Sequence, residues 1–131
     1  MKLIFTNHGL KGGKELPKAD LYLDCRGVAN PFHQASLASL TGDSKAVQNW
    51  VMMESPDTIV AFKHQIEEGL TRIPIRRRDE ADPYSRPFTI CCMCAHGIHR
   101  SRAVKHILAS YYKGQTTAPL GIPVLFAVEV L

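Results

Sequence analysis

The sequence predicts a layered α/β fold, with helices packed on a mostly parallel sheet, and three observations carry that expectation. Short β-branched apolar runs alternate along the chain with longer stretches of helical period, as in strands joined by crossovers. The length, 131 residues, suits one domain with one core, expected over residues 1–131. The composition, 45% hydrophobic and 21% charged, is ordinary for a soluble protein. The longest apolar runs, in Met1–Phe5 and Ile122–Leu131, are far short of a bilayer span. No signal peptide is legible, because Lys2 is followed by only three apolar residues before polar ones, so the expectation is a cytoplasmic protein without membrane contact.

Taken in order, Lys2–Thr6 reads as a first strand ended by Asn7-His8-Gly9, and Lys11–Lys18, with Gly12, Gly13 and Pro17, as a turn region. Leu21–Asp24 is a second strand, ending in Asp24-Cys25-Arg26-Gly27 and then Asn30-Pro31. His33–Leu40 is expected to form a short helix closed by Thr41-Gly42. Asp43 or Ser44 caps a further helix to about Met53. Ser55-Pro56-Asp57 restarts the chain with a cap serine, a proline at the first helical position and an acid in the first turn. That helix runs to about Leu70, with Ile59, Phe62, Ile66 and Leu70 on its buried stripe. Arg76–Pro87 reads as a charged loop. From Phe88 a β-branched apolar run suits a buried strand. Beyond Arg100-Ser101, apolar residues at Ala103, Val104, Ile107, Leu108 and Tyr111 mark a helix with one buried face. Gly114 ends it, and Ile122–Val130 is a final strand.

In an open parallel sheet, ligands bind beyond the carboxyl ends of the strands. Three such ends carry reactive residues here, Asn7-His8-Gly9, Asp24-Cys25-Arg26 and Cys94 to Ser101, and parallel neighbouring strands would place them on one rim. The last is the most informative. Strand, glycine-containing loop and helix start bring loop amides, first-turn amides and the positive end of the helix dipole to one point, an anion site. Arg100 opposes that dipole, which a bound anion would justify. Gly97 supplies a positive φ or a close backbone approach.

The same loop has the spacing of a cysteine phosphatase, Cys94, five residues, then Arg100-Ser101. In that chemistry Cys94 attacks phosphorus, Arg100 clamps the oxygens, and Asp24, Asp79 or Asp82 donates the proton. Cys94 equally suits a small buried residue. His96 and His99 could join Cys92 and Cys94 on zinc, but that spacing is not a usual structural one; His99 beside Arg100 suits a phosphate donor. No cofactor and no metal are expected. The four cysteines, at 25, 91, 92 and 94, make no disulfide framework, and reduced thiols are the expectation. Asp24 and Arg26 suit either a structural ion pair or a pocket wall. A net charge of +4, much of it between Arg72 and Arg78, permits RNA, and Arg76-Arg77-Arg78 is the candidate contact, although such runs are usually solvated loops.

Asp24-Cys25-Arg26, Asn30-Pro31, Leu40-Thr41-Gly42-Asp43 with Val47, and Cys94-x-x-Gly97-x-His99-Arg100-Ser101 together resemble the C-terminal domain of the RNase adapter RapZ family, in order and approximate spacing over about residues 20–112. The resemblance implies an α/β domain that binds a phosphorylated amino sugar, glucosamine 6-phosphate. It implies small-RNA binding and homo-oligomer assembly as well. Carried onto this chain, Gly97, His99, Arg100 and Ser101 hold phosphate, and Asp24, Arg26 and Asn30 line the same pocket; His8, Cys94 and His96 complete the expected site. Where the family has Gly-Cys-Thr-Gly-Gly, this chain has Met93-Cys94-Ala95-His96-Gly97, so that His96 either narrows the pocket or meets a different ligand. The family's basic tail is replaced by Gly121-Ile122-Pro123-Val124-Leu125-Phe126. No Walker-type loop occurs, and the family's nucleotide-binding N-terminal domain is expected to be absent.

Overall fold

The computed structural model describes residues 1–113, 115 and 127–131. Four parallel strands form one sheet: β1 (Lys2–Gly9), β2 (Leu21–Asp24), β3 (Phe88–Cys94) and β4 (Ala127–Val130), in the order β2-β3-β1-β4. The helices are α1 (Lys45–Glu54), α2 (Pro56–Thr71), the single-turn α3 (Ile73–Arg76) and α4 (Arg100–Lys113). α4 packs on β1, β3 and β4, and α1 and α2 pack against α4. The α/β architecture with a parallel sheet is as the sequence predicts.

β3 is one of the sheet's two interior strands, and nearly every side chain on it is apolar: Phe88, Ile90, Cys91, Cys92 and Cys94 are all buried. A strand buried on both faces loses the alternation of a half-exposed one. β1 runs three residues beyond the expected Thr6. Asn7, His8 and Gly9 are paired with Cys92, Met93 and Cys94, so they are strand residues and not a terminating turn. β3 supplies a neighbour over its whole length, which overrides the poor strand propensity of asparagine and glycine.

The buried stripe of α2 is Ile59, Phe62, Ile66 and Leu70, as expected. Ser55 makes no capping bond there; its hydroxyl instead accepts from the Ala29 amide at 3.0 Å, tying α2 to the segment after β2. On α4 the stripe ends at Tyr112, which is fully buried and stacks on Phe5 with ring centroids 6.0 Å apart, whereas Tyr111 lies at the edge under the Lys63 ammonium. The i, i+4 series Val104, Leu108, Tyr112 simply carries the face one residue further round.

One expectation fails: His33–Leu40 is not a helix, for a 3-10 turn covers Pro31–His33 and the chain continues in turns to Leu40. Beyond Arg76, the last residue of α3, the segment to Pro87 is the expected loop, but one of its arginines is turned inward. Arg77 is 5% exposed, and its guanidinium donates to the carbonyls of Pro83 (2.9 Å), Arg86 (2.8 Å) and Pro87 (3.0 Å) and to Asp20 (3.2 Å). The Asp20 carboxylate also accepts from the Thr89 amide at 2.8 Å. The arginine is thus the internal frame on which this segment folds, at the amino ends of β2 and β3. Gly114 and residues 122–126 of the expected last strand lie outside the described residues.

Candidate functional site

β1 and β3 are hydrogen-bonded parallel neighbours whose carboxyl ends meet, with Gly9 paired to Cys94. In an open parallel sheet, ligands bind beyond such ends. The loop 95–99 leaves β3 there and delivers the chain to α4.

The loop is held by backbone. Leu10 and Lys11 amides donate to the carbonyls of Cys94 and Ala95 at 2.8 and 2.7 Å. Gly97 has φ +73°, and a β-carbon on Gly9 would sit 2.6 Å from the His96 carbonyl group. On the other side the Gly42 amide donates to the Ile98 carbonyl at 2.8 Å, and a β-carbon on Gly42 would lie 2.6 Å from the His99 carbonyl oxygen. Buried Gln48 of α1 donates to the Gly42 carbonyl at 2.9 Å, which fixes that approach from behind.

Behind the loop, the Cys94 thiol receives the Gly97 amide at 3.2 Å and lies 3.1 Å from the Ser101 hydroxyl. Ser101 is fully buried and Cys94 2% exposed. Deeper still, Asn7 donates to the Gly97 carbonyl at 2.9 Å and accepts from the Lys105 ammonium at 2.7 Å, which also donates to the Leu131 carbonyl at 2.7 Å. Burial pulls the Lys105 pKa down from the usual lysine range.

In front of the loop lies a cleft of about 370 Å³ lined by Lys11, Asn30, Phe32, His33, Cys94, Ala95, His96, Ile98, His99 and Arg100. Its lining combines basic side chains with the apolar Phe32 and Ile98. The Nε2 of His99 is buried and has no hydrogen-bond partner among the described residues. Arg100 donates to the Arg26 carbonyl at 2.7 Å, which holds its side chain over the first turn of α4 and uses one of the five donors of a guanidinium.

Of the expected residues, Cys94, His96, His99, Arg100 and Asn30 meet in this cleft. Gly97 and His8 line a neighbouring hollow on the far side of the loop with Lys11, Lys14, His96 and Arg102. Ser101 supports the loop from inside. Asp24 and Arg26 lie outside the lining; their side chains form a two-point ion pair, with Arg26 Nη2 2.7 Å from the carboxylate. The Arg26 side chain, then its amide, holds the Asp24 carboxyl down at about 2. At neutral pH Asp24 is therefore ionised, the wrong form for a general acid. Asp79 and Asp82 sit in the segment framed by Arg77, at the opposite end of β3 from the loop, so neither serves as the acid. Arg77 is likewise withdrawn from any RNA contact by its burial, whereas Arg76 and Arg78 are exposed.

All four cysteines are free and buried. Burial, with a contribution from Cys25, pushes the Cys91 thiol up to about 11. The hydrogen bond to Cys25, with burial, pushes Cys92 well above the ordinary thiol range. Among the described residues, no group of three or more His, Cys, Asp or Glu side chains is placed to hold a metal ion, and no helix is long and apolar enough to cross a membrane.

Sequence reasoning missed Lys11, Phe32, His33 and Ile98. The signal for Lys11 was its place two residues past the end of β1. For Phe32 it was an aromatic side chain just after Asn30-Pro31, in a turn too short to bury it.

The family described as the RapZ C-terminal domain matches residues 1–121 of this chain. A protein of Alkaliphilus oremlandii (strain OhILAs) named "Nucleotide-binding protein" is 31% identical over 108 residues, covering 82% of this chain and 35% of its own. The chain thus spans about a third of the length of that relative.

Proposed function

The chain belongs to the RapZ C-terminal domain family, and on that premise we propose that it binds a phosphorylated small molecule, a phosphosugar or a nucleotide, as a sensor or adapter domain. The phosphate sits in the cleft before the first turn of α4. The observation that carries this is the convergence of Lys11, His96, His99 and Arg100 on one cleft at the start of α4. Lys11, Arg100 and the helix terminus supply positive charge and hydrogen-bond donors for a phosphate there.

Calorimetric titration of ribose 5-phosphate and glucosamine 6-phosphate tests the reading. Arg100→Ala should weaken binding about ten- to a hundred-fold, the worth of charge-assisted hydrogen bonds. Unchanged affinity, or no binding of any phosphate compound to the wild type, overturns it.

One observation favours a second reading, a cysteine-dependent phosphatase. The Cys94 sulfur receives the Gly97 amide and faces the Ser101 hydroxyl while lining the cleft. It then needs an acid from outside the three aspartates considered above. Hydrolysis of an aryl phosphate by wild type and not by Cys94→Ser would establish it; equal rates in both would remove it.

A further inference from the structure

Besides its basic side chains, the cleft is lined by the apolar Phe32 and Ile98. Phe32 is 62% exposed and Ile98 43% exposed. A single exposed apolar side chain is unremarked on most protein surfaces. Here, however, the exposure of Phe32 is engineered by its own turn. Asn30 caps the turn by accepting the Phe32 amide at 3.1 Å, Pro31 is buried beneath it, and the His33 and Gln34 amides close it at 3.1 and 3.0 Å. The backbone is therefore fixed with the ring held at the cleft. The His99 and His33 rings lie 6.1 and 6.3 Å from it, neither covering its face by parallel stacking. His99, whose ring lies 6.1 Å from that of Phe32, directly precedes Arg100, and all three line the one cleft.

The lining also lacks something. It contributes cations and no carboxylate. The carboxylate nearest in sequence to the turn, Asp24, is gripped at two points by Arg26 and takes no part in the lining. An amino sugar phosphate would bring an ammonium group beside Lys11 and Arg100, with no carboxylate in the lining to pair it. A planar, uncharged ring brings no such penalty and gains a stacking surface.

From these observations we infer that the ligand is a nucleoside monophosphate, its phosphate at Arg100 and His99 and its base against Phe32 and Ile98. This rests on the phosphate reading above and names its ligand class. The cleft volume, about 370 Å³, is at the small end for ligand sites and accommodates one such molecule.

The test is calorimetric titration of the whole chain with AMP, UMP, ribose 5-phosphate and glucosamine 6-phosphate, in wild type, Phe32→Ala and Phe32→Tyr. Phe32 is at the surface, so the variants should retain the wild-type melting temperature. At least one nucleotide should bind about ten-fold or more tighter than ribose 5-phosphate, as expected for a base stacked on an aromatic ring. Phe32→Ala should erase that margin and leave ribose 5-phosphate affinity unchanged, and Phe32→Tyr should keep it. Nucleotides no tighter than ribose 5-phosphate, a preference for glucosamine 6-phosphate, or equal losses for all ligands in Phe32→Ala would overturn the inference while the phosphate site stands. Failure of every phosphate compound to bind would remove both.

Discussion

Replacing Arg77 by methionine separates a structural arginine from an RNA-binding one. The guanidinium is buried and makes four hydrogen bonds, three to carbonyls of the following segment and one to Asp20. Methionine fills similar volume but leaves three acceptors and a carboxylate without this donor. Hydrogen bonds to charged groups are worth about 1.5–3 kcal/mol each, but they do not add, and the carbonyls can turn partly toward water. The cost of breaking a buried ion pair, about 3–5 kcal/mol, is the better guide. At about 2.1 cal/mol/K per residue, a chain of 131 residues should then melt roughly 10–18 °C lower. Arg77→Lys should fall between, since lysine can pair with Asp20 but cannot span three carbonyls. The cleft lies at the other end of the seven-residue β3, roughly 20 Å away, so phosphate affinity below the melting temperature should not change. Thermal melts by circular dichroism and titration with ribose 5-phosphate read both quantities. A loss under about 1 kcal/mol would refute the structural role, and a fall in RNA affinity with unchanged melting would refute it more directly.

Gly42→Ala forces a methyl group against the His99 carbonyl and the start of α4; it should cost about 1–3 kcal/mol in urea unfolding and weaken phosphate binding together. Gly27→Ala, where nothing lies within 4 Å of the new β-carbon, is the control and should be nearly neutral; matching results for the two would refute the close approach. The pH dependence of the Asp24–Arg26 pair has a definite sign. A carboxyl held down at about 2 contributes stability that is fully present above the unfolded value of about 3.9 and is lost as pH falls through 2. Because the pair is exposed, Asp24→Asn should cost less than about 1 kcal/mol at pH 6, and its difference from wild type should close by about pH 1, below the folded pKa. A gap that persists undiminished at about pH 1 would contradict the assignment.

The loop and the helix after it were legible because their chemistry is local. Cys94, Gly97 and Arg100-Ser101 lie within one strand-to-helix connection, where spacing alone sets what can meet. The α2 stripe was legible for the same reason. What the sequence hid depends on contacts between distant segments. Nothing near Asn7 announces that it bridges Lys105 and the Gly97 carbonyl, 98 and 90 residues away. A lysine in the apolar stretch of α4 reads as a solvated break until β1 and the Leu131 carbonyl are seen around it. Arg77 looked like its neighbours Arg76 and Arg78 because a run of like charges carries no sign of which member turns inward. His33–Leu40 was expected as a short helix closed by Thr41-Gly42, but the chain enters it from the Asn30-capped turn at Pro31–His33 and continues in turns.

The glycine contacts around the loop divide the cleft into two kinds of wall. At Gly9 and Gly42 the backbones of separate segments touch where a methyl group would stand, so any larger residue there moves the loop itself. Phe32, His33, His96 and Ile98 point into open space from a frame that does not depend on their identity. Exchanges at those four positions can therefore alter which molecule is recognised at little cost to folding. A protein engineer, or natural variation, could retune this site from its mouth while its back remained untouched.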